Sequence, residues 1–278
     1  MIKVCNIKKS YKKFSLNDIS FEINKGEIVA LIGANGAGKS TLIKCLCGGV
    51  KPDSGSIFVY GRPVKKIDEG MSVGFLNQEQ DVYSEIKIKE LTNFISSVMK
   101  DKFDKEVYLK YFCDIFKLDE EYKIKELSTG MRVKYFISLE LAKRPEILVL
   151  DEPTSGLDPM VREEVLDILR EIAEKNGTTI LFSSHITEDI EKIADRVMYI
   201  DDGNIMLDMQ KEDVKKEYVQ IDSSQYLAIK EKKVDKKFVQ VHDYYIAQAK
   251  DLQDMEIKGK EALLSDVLSY IRRGAKSK

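Results

Sequence analysis

Ile28-Val29-Ala30-Leu31-Ile32-Gly33-Ala34-Asn35-Gly36-Ala37-Gly38-Lys39-Ser40-Thr41 is the stretch that decides how this chain folds. Its first five residues are a short, wholly apolar run, as expected of a strand buried on both faces. Gly33 to Thr41 then fit G-x-x-x-x-G-K-[ST], and a helix is expected from Lys39 to about Gly48. Glycines let backbone N–H groups turn inward around a phosphate, and the helix N-terminus presents its positive dipole end to the same anion. Lys39 reaches the β- and γ-phosphates, the Ser40 hydroxyl ligates Mg²⁺, and Thr41 hydrogen-bonds near the α-phosphate. The loop implies a nucleoside triphosphate. Alone it does not separate kinases, GTPases and ATPases.

A second strand supplies acids. Ile147-Leu148-Val149-Leu150 runs into Asp151-Glu152 and is ended by Pro153. A buried parallel strand delivers its polar end to the carboxyl edge of the sheet, beside the phosphate loop. Asp151 is then placed to hold Mg²⁺ through water, and Glu152 to orient and polarise an attacking water as general base.

Between and around these anchors the texture changes. Residues 1–32 read as β, with turns at Gly26 and at Pro52-Asp53-Ser54-Gly55; further strands are expected at 56–60 and 71–76. Residues 85–142 are charged and helical, with Leu91, Phe94, Ile95 and Val98 at helical spacing. Strand and helix then alternate: a helix at 159–175, a strand at 178–182, a helix at 186–194, and a hairpin at 195–208 around Asp202-Gly203. The fold class expected is α/β: a phosphate-loop NTPase core with a mostly parallel sheet, an antiparallel β subdomain and an inserted helical subdomain. That ATPase domain spans 1–210. Residues 211–278 form a small α+β C-terminal extension: a charged helix or linker at Lys211–Lys216, weak strand-like runs from Val219 to Ile257, and an amphipathic helix from Glu261 to Arg273 with Leu263, Leu264, Val267, Leu268 and Ile271 on one side.

The 278 residues suffice for a substantial core, and 43% hydrophobic with 33% charged residues is ordinary for a globular protein. A net charge of −2 gives no global basic field, so nucleic acid is not an expected partner. Cys5, Cys45, Cys47 and Cys113 make no C-x-x-C pair and read as reduced thiols rather than metal ligands. No signal peptide is expected, and no apolar run approaches the roughly 20 residues that span a bilayer. The protein itself is expected to be soluble, docking at a membrane through a partner if it works there. Of the two histidines, His242 carries no motif and reads as structural or surface.

Leu127-Ser128-Thr129-Gly130-Met131 resembles the signature segment of ABC ATPases, usually Leu-Ser-Gly-Gly-Gln. The supporting motifs of that family follow in order over residues 1–208. Gln78 resembles the Q-loop glutamine, Ser155-Gly156-Leu157-Asp158 the D-loop, and His185 after Ser183-Ser184 the switch histidine; Tyr11 stands where the family stacks an aromatic on adenine. Thr129 and Met131 depart from the usual signature; Gly130 is kept. The resemblance implies a head-to-tail homodimer closing on two ATP molecules, each held by one copy's phosphate loop and capped by the other's signature. Gln78 would contact Mg²⁺ and the water, and His185 would sense the γ-phosphate. It also implies a separate membrane permease as partner, with the chain cytoplasmic and peripheral on the inner face of the cell membrane. The helical subdomain and the Leu-Ser-x-Gly-Met form look like ATPases of drug, peptide-antibiotic or lipid exporters. A soluble cytosolic ATPase, such as one of iron–sulfur assembly, is the alternative.

Overall fold

The computed structural model describes residues 1–64, 73–77, 84–231, 238–252 and 257–275. Two ten-residue strands, β1 (Ile2–Tyr11) and β2 (Phe14–Ile23), form an antiparallel hairpin whose inward side chains alternate with exposed ones. β3 (Ile28–Ile32) follows and is buried along its whole length. The helix α1 (Lys39–Leu46) then leads to β4 (Ser54–Val59) and the two-residue β5 (Arg62–Pro63), which complete an antiparallel sheet in the order β2-β1-β4-β5.

The central sheet takes its remaining strands from β6 (Val73–Leu76), β7 (Ile147–Leu150), β8 (Thr179–Ser184), β9 (Arg196–Asp201) and β10 (Asn204–Gln210), in the order β10-β9-β3-β8-β7-β6. Every pair is parallel except β9–β10, the hairpin around Asp202-Gly203. One face of this sheet packs on α1 and the antiparallel sheet through Val29, Leu31, Leu42, Ile43, Val149 and Leu181. The other packs on α5 (Pro159–Asn176) and α6 (Thr187–Ile193) through Ala30, Leu150, Leu169 and Ile190.

Between β6 and β7 lie α2 (Ile88–Met99), α3 (Lys105–Leu109) and α4 (Thr129–Leu141), joined by short 3₁₀ and π turns. They close on their own aromatic-rich core of Phe103, Tyr108, Phe112 and Tyr135. On α2 the buried face is Ile88, Leu91 and Thr92. Phe94 and Val98, expected from spacing to join Leu91, point outward at 63% and 64% exposure.

The C-terminal part comprises α7 (Lys211–Glu217), β11 (Tyr218–Asp222), α8 (Ser223–Glu231), β12 (Val239–Val241), β13 (Tyr244–Gln248), β14 (Lys260–Glu261) and α9 (Leu264–Ala275). Its sheet runs β12-β13-β11-β14, and α9 packs on α6 and α7. Two readings change here. α8 occupies a stretch expected to hold only weak strands, and the last helix starts at Leu264 rather than Glu261 because Lys260 and Glu261 pair with β11. Leu263 therefore lies outside the helix and is exposed, while Leu264, Val267 and Leu268 are buried.

Candidate active site

The parallel strands β3, β7 and β8 end at one edge of the sheet, and the register Leu150↔Phe182 brings the residues after β7 beside Ser183 and Ser184. The phosphate loop starts from the same edge. Gly38 holds φ 115°, and a Cβ there would lie 2.6 Å from the Phe14 ring. Only glycine fits both demands. Lys39 follows as the first residue of α1, with its side chain 6% exposed and its ammonium donating to the Gly33 carbonyl at 2.7 Å.

Asp151 and Glu152 leave β7 on the other side of the loop. Asp151 is buried and accepts the Ser183 hydroxyl proton at 2.6 Å; the Ser183 oxygen in turn accepts the Glu152 backbone N–H at 2.8 Å. Glu152 itself sits at φ 53°, in the left-handed region, with its side chain aimed back at the loop. One carboxylate oxygen lies 3.1 Å from the Lys39 ammonium, and the other 2.7 Å from His185 Nδ1. The Glu152 side chain is 8% exposed and that of His185 is half exposed, so the acid is shielded while the imidazole faces the opening.

A cavity of about 400 Å³ joins these groups. The phosphate loop lines it through Ala34, Asn35, Gly36, Gly38 and Lys39, with Ser40 and Thr41 from the helix start; Glu152, Ser155, His185 and Phe14 close its sides. Phe14 had no role assigned from sequence. Tyr11, the aromatic singled out there, ends β1 about half exposed, outside the cavity lining, with the Lys9 ammonium 5.7 Å from its ring centre. Another cavity, about 500 Å³ and lined in part by Pro145, Glu146, Gly177 and Thr178, opens where β7 and β8 begin. It is therefore at the opposite edge of the sheet from Asp151 and His185.

Behind the site, Asp189 of α6 is wholly buried and receives the Thr154 hydroxyl at 2.5 Å and the Ser184 hydroxyl at 3.4 Å. It also pairs with Arg162 of α5. These contacts fix the segment Ser155-Gly156-Leu157-Asp158, in which Gly156 takes φ 73° and Asp158 caps α5 by accepting from the Met160 and Val161 N–H groups. Asp189 lies in a run, Thr187-Glu188-Asp189-Ile190-Glu191-Lys192, whose composition suggests a solvated helix. Its burial is invisible there.

The segment Leu127–Met131 is not part of this cavity's lining. Leu127 is buried in the helical core, Ser128 caps α4 by accepting the Met131 N–H at 3.2 Å, and Ser128 and Thr129 are exposed. A Cβ on Gly130 would lie 2.7 Å from Val161 Cγ1, so this glycine also lets α4 approach α5. Gln78 lies outside the described residues.

The donors present suit a small hard cation. Both the Ser40 hydroxyl, which lines the cavity, and the Asp151 carboxylate, which lies buried against Ser183 outside that lining, are hard oxygen donors, and among the described residues no three His, Cys, Asp or Glu side chains cluster as ligands. A cation here would take its remaining ligands from phosphate and water, as Mg²⁺ does. Among the described residues no helix is long and apolar enough to cross a membrane.

The chain is similar to known proteins in both sequence and fold. A family model described as ABC transporter matches residues 16–155. The lantibiotic transport ATP-binding protein SrtF of Streptococcus pyogenes is 35% identical over 211 residues, 76% of this chain and 91% of that protein. The energy-coupling factor transporter ATP-binding protein EcfA2 of Clostridium perfringens is 39% identical over 76% of this chain and 78% of its own length. Among solved structures, an ATP-binding subunit of an ABC transporter superimposes with a TM-score of 0.67 at 26% identity, covering 77% of this chain and 92% of that one. The ATP-binding cassette MJ0796, in a dimeric post-hydrolysis state with ADP and Pi, shares the fold with a TM-score of 0.67 at 22% identity over 76% of this chain and 98% of its own.

Proposed function

Since the chain belongs to the ABC transporter family and is an ATPase that powers a membrane transporter, we propose that it hydrolyses ATP through Lys39, Glu152 and His185, at a site completed by a second copy of itself. The observation that carries this reading is the Glu152 carboxylate lying between the Lys39 ammonium and the His185 ring at the mouth of the phosphate loop.

The chemistry follows from competition for one cation. The terminal phosphate of ATP carries more charge than a carboxylate and brings its own hydrogen-bond geometry to the loop's N–H groups. It takes Lys39 from Glu152. The released carboxylate stays shielded, with its backbone held by Ser183, and accepts the proton of the attacking water. His185 donates to the γ-phosphate and registers its loss. Ser40, Asp151 and Gln78 would hold Mg²⁺, Asp151 through water, and the ion would neutralise charge on the β- and γ-phosphates. Ser128, Thr129 and the N-terminus of α4 are exposed and stand apart from their own chain's cavity, which supports their use on the ATP of a partner copy. ATP bridges the two copies, and hydrolysis removes that bridge.

The permease is proposed as a separate chain, with this subunit cytoplasmic and peripheral to the membrane. Kinship with a lantibiotic transport ATP-binding protein supports export as the direction. The test is a pair of measurements. Glu152→Gln with ATP is expected to elute as a dimer from size exclusion and to show no turnover; a monomer that still binds ATP would defeat the shared-site reading. Tagged protein extracted from native membranes in mild detergent is expected to bring down a multi-span partner at equal stoichiometry. A soluble partner alone would defeat the permease reading.

A further inference from the structure

Glu140 lies on α4 one residue before that helix ends, yet its side chain is only 14% exposed. A carboxylate there is costly unless it is hydrogen-bonded. One of its oxygens accepts the Phe75 backbone N–H at 3.1 Å, and the other accepts the Lys143 ammonium at 2.5 Å. Phe75 belongs to β6, which among the described residues is the edge strand of the central sheet and pairs with β7 alone. Edge N–H groups need a partner from outside the sheet, and Glu140 supplies it. The strand is shaped for this: a Cβ on Gly74 would lie 3.2 Å from the accepting Glu140 oxygen and 2.9 Å from Leu148 Cδ1. On its other side, β6 accepts the Asp151 N–H through the Leu76 carbonyl at 2.9 Å.

A continuous path therefore runs from α4 through Glu140, Phe75 and Leu76 to Asp151. The same α4 begins at the exposed signature residues, twelve positions or about 18 Å up the helix at 1.5 Å per residue. We infer that Glu140 is a positioning residue for ATP hydrolysis, coupling the helix that bears the signature segment to the strand pair that carries Asp151 and Glu152. The inference rests on the ATPase reading above. Burial holds the Glu140 carboxyl above its ordinary range, and the Lys143 ammonium and the Phe75 N–H oppose that shift.

Three variants of the full chain test it, with Glu152→Gln as the control that reports on the ATPase reading by itself. Glu140→Met keeps the volume and removes the acceptor; kcat is expected to fall at least tenfold while the KM for ATP stays within threefold. Glu140→Gln keeps an acceptor for Phe75 and is expected to restore kcat to within threefold of the parent. Glu140→Asp retracts the carboxylate by one methylene while keeping its charge, and gives a folded variant even if the methionine one fails; its kcat is expected to fall severalfold. Parent-like kcat in the Met or Asp variant, or a Gln variant no better than Met, overturns the coupling. A loss of turnover that only tracks the unfolded fraction overturns it too. In each of these cases a dead Glu152→Gln control leaves the ATPase reading standing.

Discussion

The Lys39 ammonium and the Glu152 carboxylate lie 3.1 Å apart, both with side chains less than a tenth exposed. This ion pair and a γ-phosphate make competing claims on one cation. Glu152→Gln removes the competitor along with the general base. Turnover is expected to drop about 10²–10⁴-fold, the range general bases contribute, while ATP binds as tightly as to the parent or more tightly. Isothermal titration alongside a phosphate-release assay separates the two effects. Weaker ATP binding in this variant would show that Glu152 orders the loop rather than competing with phosphate.

Ser183 is buried and used twice: it donates to Asp151 at 2.6 Å and accepts from the Glu152 N–H at 2.8 Å. Ser183→Ala orphans both groups, at about 1–3 kcal/mol each, so a drop of several degrees in Tm is expected. Turnover should fall as well, because the Glu152 backbone, already at φ 53°, loses its anchor. Unchanged kcat in a destabilised variant would make Ser183 purely architectural.

Alkaline pH should weaken the fold in two stages. Burial pushes the Cys45 thiol up to about 11 and the Cys47 thiol to about 12. It likewise raises the Tyr135 and Tyr270 phenols to about 12; Tyr244 reaches about 12 chiefly through its bond to Asp266. Each of these groups keeps its proton in the folded chain after the unfolded chain has lost it. The stabilisation is complete below the unfolded values, near 9 for thiols and 10 for phenols, and is lost as pH rises toward the folded ones. Urea midpoints should therefore decline from about pH 9, and more steeply above about pH 10. Tyr135→Phe should flatten the upper stage; an unchanged slope would remove Tyr135 from the account.

The loop and the acidic strand are legible because their chemistry demands particular residue types within a few adjacent positions; His185 is picked out only by its resemblance to the family pattern. Gly33 to Thr41 and Ile147 to Glu152 each bring strand, turn and function together in one short segment. What stayed hidden depends on contacts across long separations. Asp189 sits in a helical run rich in charge, where nothing local distinguishes a buried carboxylate from a solvated one; Glu140 is the one charge in the largely apolar run Tyr135–Ala142, and its partner Phe75 lies 65 positions away. Phe94 and Val98 share the spacing of Leu91 on α2, but the buried face of that helix is narrower than its apolar stripe. In the C-terminal part, α8 has almost no amphipathic pattern to betray it, being held by side-chain contacts such as the Tyr226–Tyr245 stack at 3.8 Å.

Phe14, rather than Tyr11, lines the cavity, and its ring packs where a Cβ on Gly38 would sit. Phe14→Ala is expected to raise the KM for ATP by about tenfold, consistent with the ~1–3 kcal/mol of base–aromatic stacking. Tyr11→Ala should change it less. The reverse ranking would assign the base to Tyr11 and leave Phe14 as a support for the loop.

Asp189 is a buried charge behind the site that engages Thr154, Ser184 and Arg162 with none of its surface exposed. Asp189→Ala leaves the Thr154 hydroxyl without its acceptor and the partly exposed Arg162 with only Glu188 at 3.7 Å, so it should cost about 1–3 kcal/mol per group left unpaired. The loss should reach function, because Thr154 precedes the segment that lines the cavity at Ser155, and Ser184 adjoins His185. The decisive comparison is a double mutant. Adding Arg162→Met to Asp189→Ala removes the guanidinium left with Glu188 alone, so part of the stability should return; turnover should not, because Thr154 remains without its acceptor. Denaturant midpoints and kcat for the two singles and the double separate these terms. If the costs simply add, the Arg162 pair is not what holds Asp189 in place. If kcat returns with stability, the aspartate serves the fold and not the site.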